Sequence, residues 1–242
     1  MAVTGRIGDE LRAIVDRKHT RDHPLVRRIA EGQLTIPELR FFAQQYYQRT
    51  ARMFPKLVAA IYSRCPDDPE LERMLLENVF SESGFADPTK EHKKLFFQFG
   101  AALGLAREDI ERARPVPELQ AFIGWRDRVF YDAPWLDAIA MQSFVFEGQN
   151  LKRAAVIADG LRCHYPFSED DIAFWSTHAS EVEEEHADVG PIMVERYATS
   201  DEAREHLRTI VAEGVEVYWV VFDGIERGAA NVISAHGEPV EP

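Results

Sequence analysis

The stretch Thr35–Cys65, TIPELRFFAQQYYQRTARMFPKLVAAIYSRC, decides the fold class. Thr35 and Glu38 have capping-box spacing, in which a hydroxyl and a carboxylate each satisfy the other's otherwise orphaned amide. Pro37 suits a first helical turn, where its missing N–H costs nothing. Beyond the cap, apolar residues recur three and four apart, the helical period rather than the alternation of a strand. Pro55 is expected to kink or divide this long helix, because it cannot donate to the preceding turn.

The same punctuation continues outward. Asp68-Pro69-Glu70 opens a helix to about Ser81, and another runs from about Thr89 to Ala102 and stops at Gly104. Pro115 and Pro117 introduce ELQAFIGWRDRVFY, and a further helix follows Pro134 from Trp135 to about Arg162. Ser168-Glu-Asp-Asp171 and Ser200 are N-caps of the last two helical stretches. The run VYWVVF (217–222) is β-prone alone, but its neighbours keep the helical period. Strand alternation and hairpin signals are nearly absent. The expected fold is an all-α, single-domain bundle of about seven to nine helices over residues 1–228, with 229–242 a flexible tail.

A formal charge of −13 over 242 residues excludes nucleic-acid binding, which needs a basic face. Acidity instead steers cations toward the protein. No apolar run approaches the ~18 residues of a membrane span, so no membrane partner is expected. The N-terminus is polar from the start, and Cys65 and Cys163 lie far apart without a CxxC. A cytoplasmic protein with reduced cysteines is the expectation, Cys163 serving only in packing.

Chemistry concentrates in FWSTHASEVEEEHADVG (174–190), with His178 and His186 among closely spaced glutamates. Burying such a block needs a compensating cation, and a metal ion supplies it. Glu183 and His186 form a Glu-x-x-His pair, the i, i+3 unit of dinuclear bundles. In an ideal helix His186 lies about 80° from His178, so one π-type insertion is required to bring both to one face. Glu147 shares a stripe with Ala140, Phe144, Leu151, Ala154 and Ala158, which makes it either a buried, paired carboxylate or a metal ligand. Glu82 ends one helix and His92 begins the next, four residues before Phe96 on the inward face. Together these supply three carboxylates and three imidazoles, a thiolate-free set suited to iron or manganese. Tyr46, Tyr47, Trp175 and Tyr218 are candidates to line a pocket, at least half of them serving as core instead.

From about His23 to Gly224 the chain resembles the heme-oxygenase-like superfamily, including its TenA and PqqC branches. It is most similar to the diiron oxidases and oxygenases. In those, a Glu and a His flank a core-helix junction, a lone Glu follows, and a His-x3-Asp-x2-His motif closes the set. The resemblance implies that Glu82, His92, Glu147, His178, Glu183 and His186 are metal ligands, with Glu147 a bridge and the catalytic carboxylate. Four residues rather than three separate His178 from Glu183, and Glu replaces Asp, leaving Glu181 and Glu185 as alternatives. The implied function is a non-heme enzyme with two irons per chain. It would use O2 to oxidise a small organic molecule in a biosynthetic pathway, for example by N-oxygenating an amine, and would work as a homodimer. The alternatives are a metal-free PqqC-like oxidase, a TenA-like hydrolase, or a non-catalytic helical binding protein.

Overall fold

The computed structural model describes residues 6–179 and 189–235, apart from the side chains of Thr50 and 233–235. Thr35 caps α3 (Ile36–Tyr46) as its spacing requires. Its hydroxyl accepts from the Glu38 amide at 3.4 Å, and the Glu38 carboxylate accepts from the Thr35 amide at 2.7 Å. Arg28 holds the other Glu38 oxygen at 2.8 Å, tying this cap to α2 (Pro24–Ala30), which follows α1 (Ile7–Asp16). Past Tyr46 the helix widens into a π-helical segment, Tyr47–Ala51, and α4 (Phe54–Tyr62) starts afresh with Pro55 in its first turn. Pro55 therefore divides the stretch.

Asp68 caps α5 (Pro69–Glu82) by accepting from the Glu70 and Leu71 amides. The chain then turns back through Gly84 into α6 (His92–Ala102). At Gly84 φ is +62°, and a Cβ there would lie 2.7 Å from the Glu91 amide nitrogen. Only glycine allows that closure. After α7 (Arg107–Glu111) and α8 (Pro117–Tyr131), α9 (Trp135–Ala140) passes through a second π-helical segment, Met141–Glu147, into α10 (Gly148–His164). Then come α11 (Ala173–His178), α12 (Val189–Tyr197) and α13 (Asp201–Ala235).

The described residues contain α-helices, 3-10 turns and π-helical segments but no strand. Their thirteen α-helical segments exceed the seven to nine expected, because proline starts and π turns cut the long stretches. At 35 residues, α13 is about 50 Å long and is the axle on which α1, α3 and α8 pack. Val215, Tyr218, Val221, Phe222 and Ile225 are all buried on it, so tertiary burial keeps the VYWVVF run helical. This helix continues past Gly228 to Ala235, so the boundary expected at 228 falls within an element. Ser168 and Asp171 do exchange cap hydrogen bonds, but they close a turn, and α11 begins only at Ala173. Cys163 is exposed near the end of α10, contrary to the packing role expected for it; the buried stripe there is carried by Ile157, Gly160 and Leu161. At Gly160, α10 meets α2 so closely that a Cβ would sit 2.4 Å from Ala30 Cα. No helix among the described residues is long and apolar enough to cross a membrane.

Candidate metal centre

Four of the six expected ligands lie in the described residues, and each stands at the end of a segment. Glu82 closes α5, His92 opens α6, Glu147 closes the second π-helical segment, and His178 closes α11. All four line one cavity, and all are buried. Glu183 and His186, their alternatives Glu181 and Glu185, and the expected π insertion beside them lie outside the described residues.

Glu82, His92 and His178 each offer a ligand atom, and these atoms lie within 4.8 Å of one another. His92 Nδ1 is 2.8 Å from Glu82 Oε2, and the two imidazole rings are 4.4 Å apart at their centroids. His178 Nδ1 is 2.7 Å from the Phe174 carbonyl, which can only accept, so Nδ1 carries the hydrogen. The lone pair is thereby left on Nε2. A backbone carbonyl that fixes the tautomer in this way is the usual outer support of a metal-bound histidine.

Glu147 is held separately. Its Oε1 accepts from Asn78 Nδ2 at 2.7 Å, and its Oε2 accepts from Gln142 Nε2 at 3.0 Å. Gln142 and Glu147 are five residues apart, the spacing that a π-helical turn brings onto one face. Both oxygens of the carboxylate are thus oriented by neutral amide donors.

A buried N/O donor set of one carboxylate and two imidazoles, without thiolate, fits iron. Burial contributes most to lowering the His178 pKa, to about 3, with the neighbouring His92 and Arg153 acting in the same direction. The ring is therefore neutral and ready to ligate at physiological pH. Burial likewise lowers His19 to about 3. Both groups start from an ordinary value of 6.5, so below that pH the unfolded chain takes up protons that the folded protein refuses. Stability is complete above pH 6.5 and declines as pH falls toward 3. Thermal melts of the metal-free protein are expected to show Tm falling steadily below pH 6.5, and His178→Gln should make that decline shallower. A Tm that stays flat from pH 7 to 4 would show that these imidazoles are not buried as neutral groups.

Around the cluster, Tyr46 and Tyr218 line the cavity, whereas Trp175 packs among Phe42, Tyr46 and Phe99, and Tyr47 packs on Phe96 and Phe97. Two arginines that the sequence reading did not single out also line it, Arg49 and Arg153. Arg153 was findable, since it falls in the buried stripe of α10 with Ile157 and Gly160. Arg49 sits in the first π-helical segment, where helical periodicity no longer assigns faces. Tyr46 lies between them. Burial raises its pKa, but the two guanidinium groups outweigh burial and the net shift is downward.

Comparison with known proteins bears on this geometry. The chain is 31% identical to the 4-aminobenzoate synthase of Chlamydia muridarum, over 80% of this chain and 79% of that protein. Its fold matches a TenA homolog from Pseudomonas syringae pv. tomato with a TM-score of 0.76 at 16% identity, covering 90% and 92% of the two chains. It also matches a domain of unknown function with a heme oxygenase-like fold from Shewanella denitrificans, at a TM-score of 0.69 and 13% identity, over 98% and 94%. The fold is therefore heme-oxygenase-like, as the resemblance implied. The family model for iron-containing redox enzymes matches residues 40–219, a span that includes Glu82, His92, Glu147 and His178. With buried nitrogen and oxygen ligands gathered where iron is expected, this chain belongs to the family of iron-containing redox enzymes and is an iron-dependent oxidoreductase.

Proposed function

We propose that the chain is a dinuclear non-heme iron enzyme that uses O2 to oxidise a small organic molecule in a biosynthetic pathway. Glu82, His92, Glu147 and His178 would hold the irons, with Glu183 and His186 as the further ligands expected from the sequence and Glu147 as the candidate bridge. The observation that carries this reading is the convergence of Glu82, His92 and His178 within 4.8 Å in a buried cavity. Bound iron supplies redox and Lewis-acid chemistry for dioxygen. The protein supplies position and dryness. Asn78 and Gln142 fix both oxygens of Glu147, the Phe174 carbonyl fixes the His178 tautomer, and Phe146, Phe174 and Tyr218 close the cavity walls.

The relatives named 4-aminobenzoate synthase support 4-aminobenzoate as the product. The chain's acidity opposes nucleic acid as a partner and its two free cysteines fit a reducing, cytoplasmic setting; in this reading it acts on a small molecule as a homodimer without a membrane partner.

Anaerobic loading with Fe(II), metal analysis and oxygen-uptake measurements test the centre. About two irons per chain are expected. Glu147→Ala should abolish oxygen uptake while leaving the helical circular dichroism intact. Full uptake in that variant, or no iron in the wild type, overturns the proposed centre. Growth of a 4-aminobenzoate auxotroph expressing the chain tests the product. Failure to grow despite oxygen uptake assigns the oxidation to another small molecule.

A further inference from the structure

Two guanidinium groups share the cavity with Glu82, His92 and His178, and neither has an ion pair among the described residues. Arg49 is 2% exposed and Arg153 is wholly buried. A buried charge without a counter-charge strongly destabilises a fold, so such a pair persists where an anion is meant to arrive. Arg153 is positioned by neutral partners: Nη1 donates to Thr20 Oγ1 at 2.8 Å and Nη2 to Asn150 Oδ1 at 2.7 Å. Its Nε has no partner. The Arg49 guanidinium carbon lies 4.2 Å from the Tyr46 ring centroid and 4.7 Å from that of Tyr218. Its Nε and Nη1 have no hydrogen-bond partner. Even an ionised Tyr46 would balance only one of the two charges. The nearby carboxylates are engaged elsewhere, Glu147 with the Asn78 and Gln142 amides and Glu82 with His92.

We infer that Arg49 and Arg153 form the recognition subsite for the carboxylate end of the substrate, beside the Glu82–His92–His178 cluster. This deepens the proposed function and rests on its reading of the cavity as the place of reaction. A guanidinium presents its N–H donors in one plane, the arrangement that pairs with a planar carboxylate. Anchoring one end of a short molecule here places its other end next to the metal ligands.

The test compares propionate, neutral propionamide and inorganic phosphate on the full-length protein, metal-free and iron-loaded, by thermal shift and calorimetry. Propionate at millimolar concentration is expected to raise Tm by a few degrees in both forms, and propionamide to leave it unchanged. Arg49→Met and Arg153→Met should each weaken propionate binding at least tenfold. Arg49→Met alone should melt no lower than wild type, because it removes a buried charge that has no ion pair among the described residues; a merely structural arginine would lower the melt and leave propionate binding intact. Equal response to propionamide, undiminished binding in both variants, or preference for phosphate overturns the inference. Propionate binding in a protein that takes up no iron keeps the subsite and removes the iron centre. Iron uptake without propionate preference removes only the subsite.

Discussion

Replacing His178 with alanine is expected to empty the centre of iron while leaving the bundle folded. Its Nε2 is the lone pair left facing Glu82 and His92 once Nδ1 is committed to the Phe174 carbonyl. Loss of an outer partner alone lowers metal affinity by roughly 10–100-fold, so loss of the imidazole itself should cost more. The fold survives because the substitution removes a neutral ring, leaving no buried charge behind. Iron content after Fe(II) loading and desalting should fall below one-tenth of wild type, with oxygen uptake lost in parallel. An unaltered circular dichroism spectrum shows that the helices remain. Wild-type iron content in the alanine variant would remove His178 from the ligand set.

The second large effect lies one layer out. Phe96 is wholly buried and stacks on Tyr46 at 6.0 Å between centroids, while the Phe174 ring meets it edge-on at 4.9 Å. Truncating such a ring to alanine removes its burial and leaves a cavity, together worth about 3–5 kcal/mol. At this chain length the expected drop in Tm is on the order of 10 °C. Activity should fall even below the melting transition, because Phe96 supports Tyr46 in the cavity wall and Phe174, whose carbonyl orients His178. Phe85 is the internal control: it is 73% exposed, and its alanine variant should change stability by less than about 0.5 kcal/mol. Equal melting temperatures for the two variants would show that the aromatic layer does not brace the centre.

Helix starts were legible because caps are local chemistry. The Thr35–Glu38 box, the Asp68 cap and the proline starts of α4, α5 and α8 depend on residues within four positions of each other. Glu147 stood out as a carboxylate on an inward stripe and His178 as part of a Glu/His block, whereas Glu82 and His92, at a helix junction, were unremarkable alone and gained weight only beside the other candidates. The helix count was not, since it depends on where π turns widen the coil, and such turns leave no compositional mark in Tyr47–Ala51 or Met141–Glu147. The arginines were missed for a related reason. A long cationic side chain ordinarily reaches solvent, and only the packing of Tyr46, Tyr218 and Phe222 around Arg49 shows that it does not. The roles of Asn78 and Gln142 likewise emerge only when α5 and the second π-helical segment are seen side by side.

That second π-helical segment also changes how the longest run of chain before α11 must be counted. Residues on either side of Met141–Glu147 belong to two phases offset by one surplus position, so a wheel drawn straight through from Trp135 to His164 misplaces one half. Engineers grafting this motif onto a regular scaffold will need to copy the irregularity along with the side chains. Aligners that close a gap there will pair outward residues with inward ones.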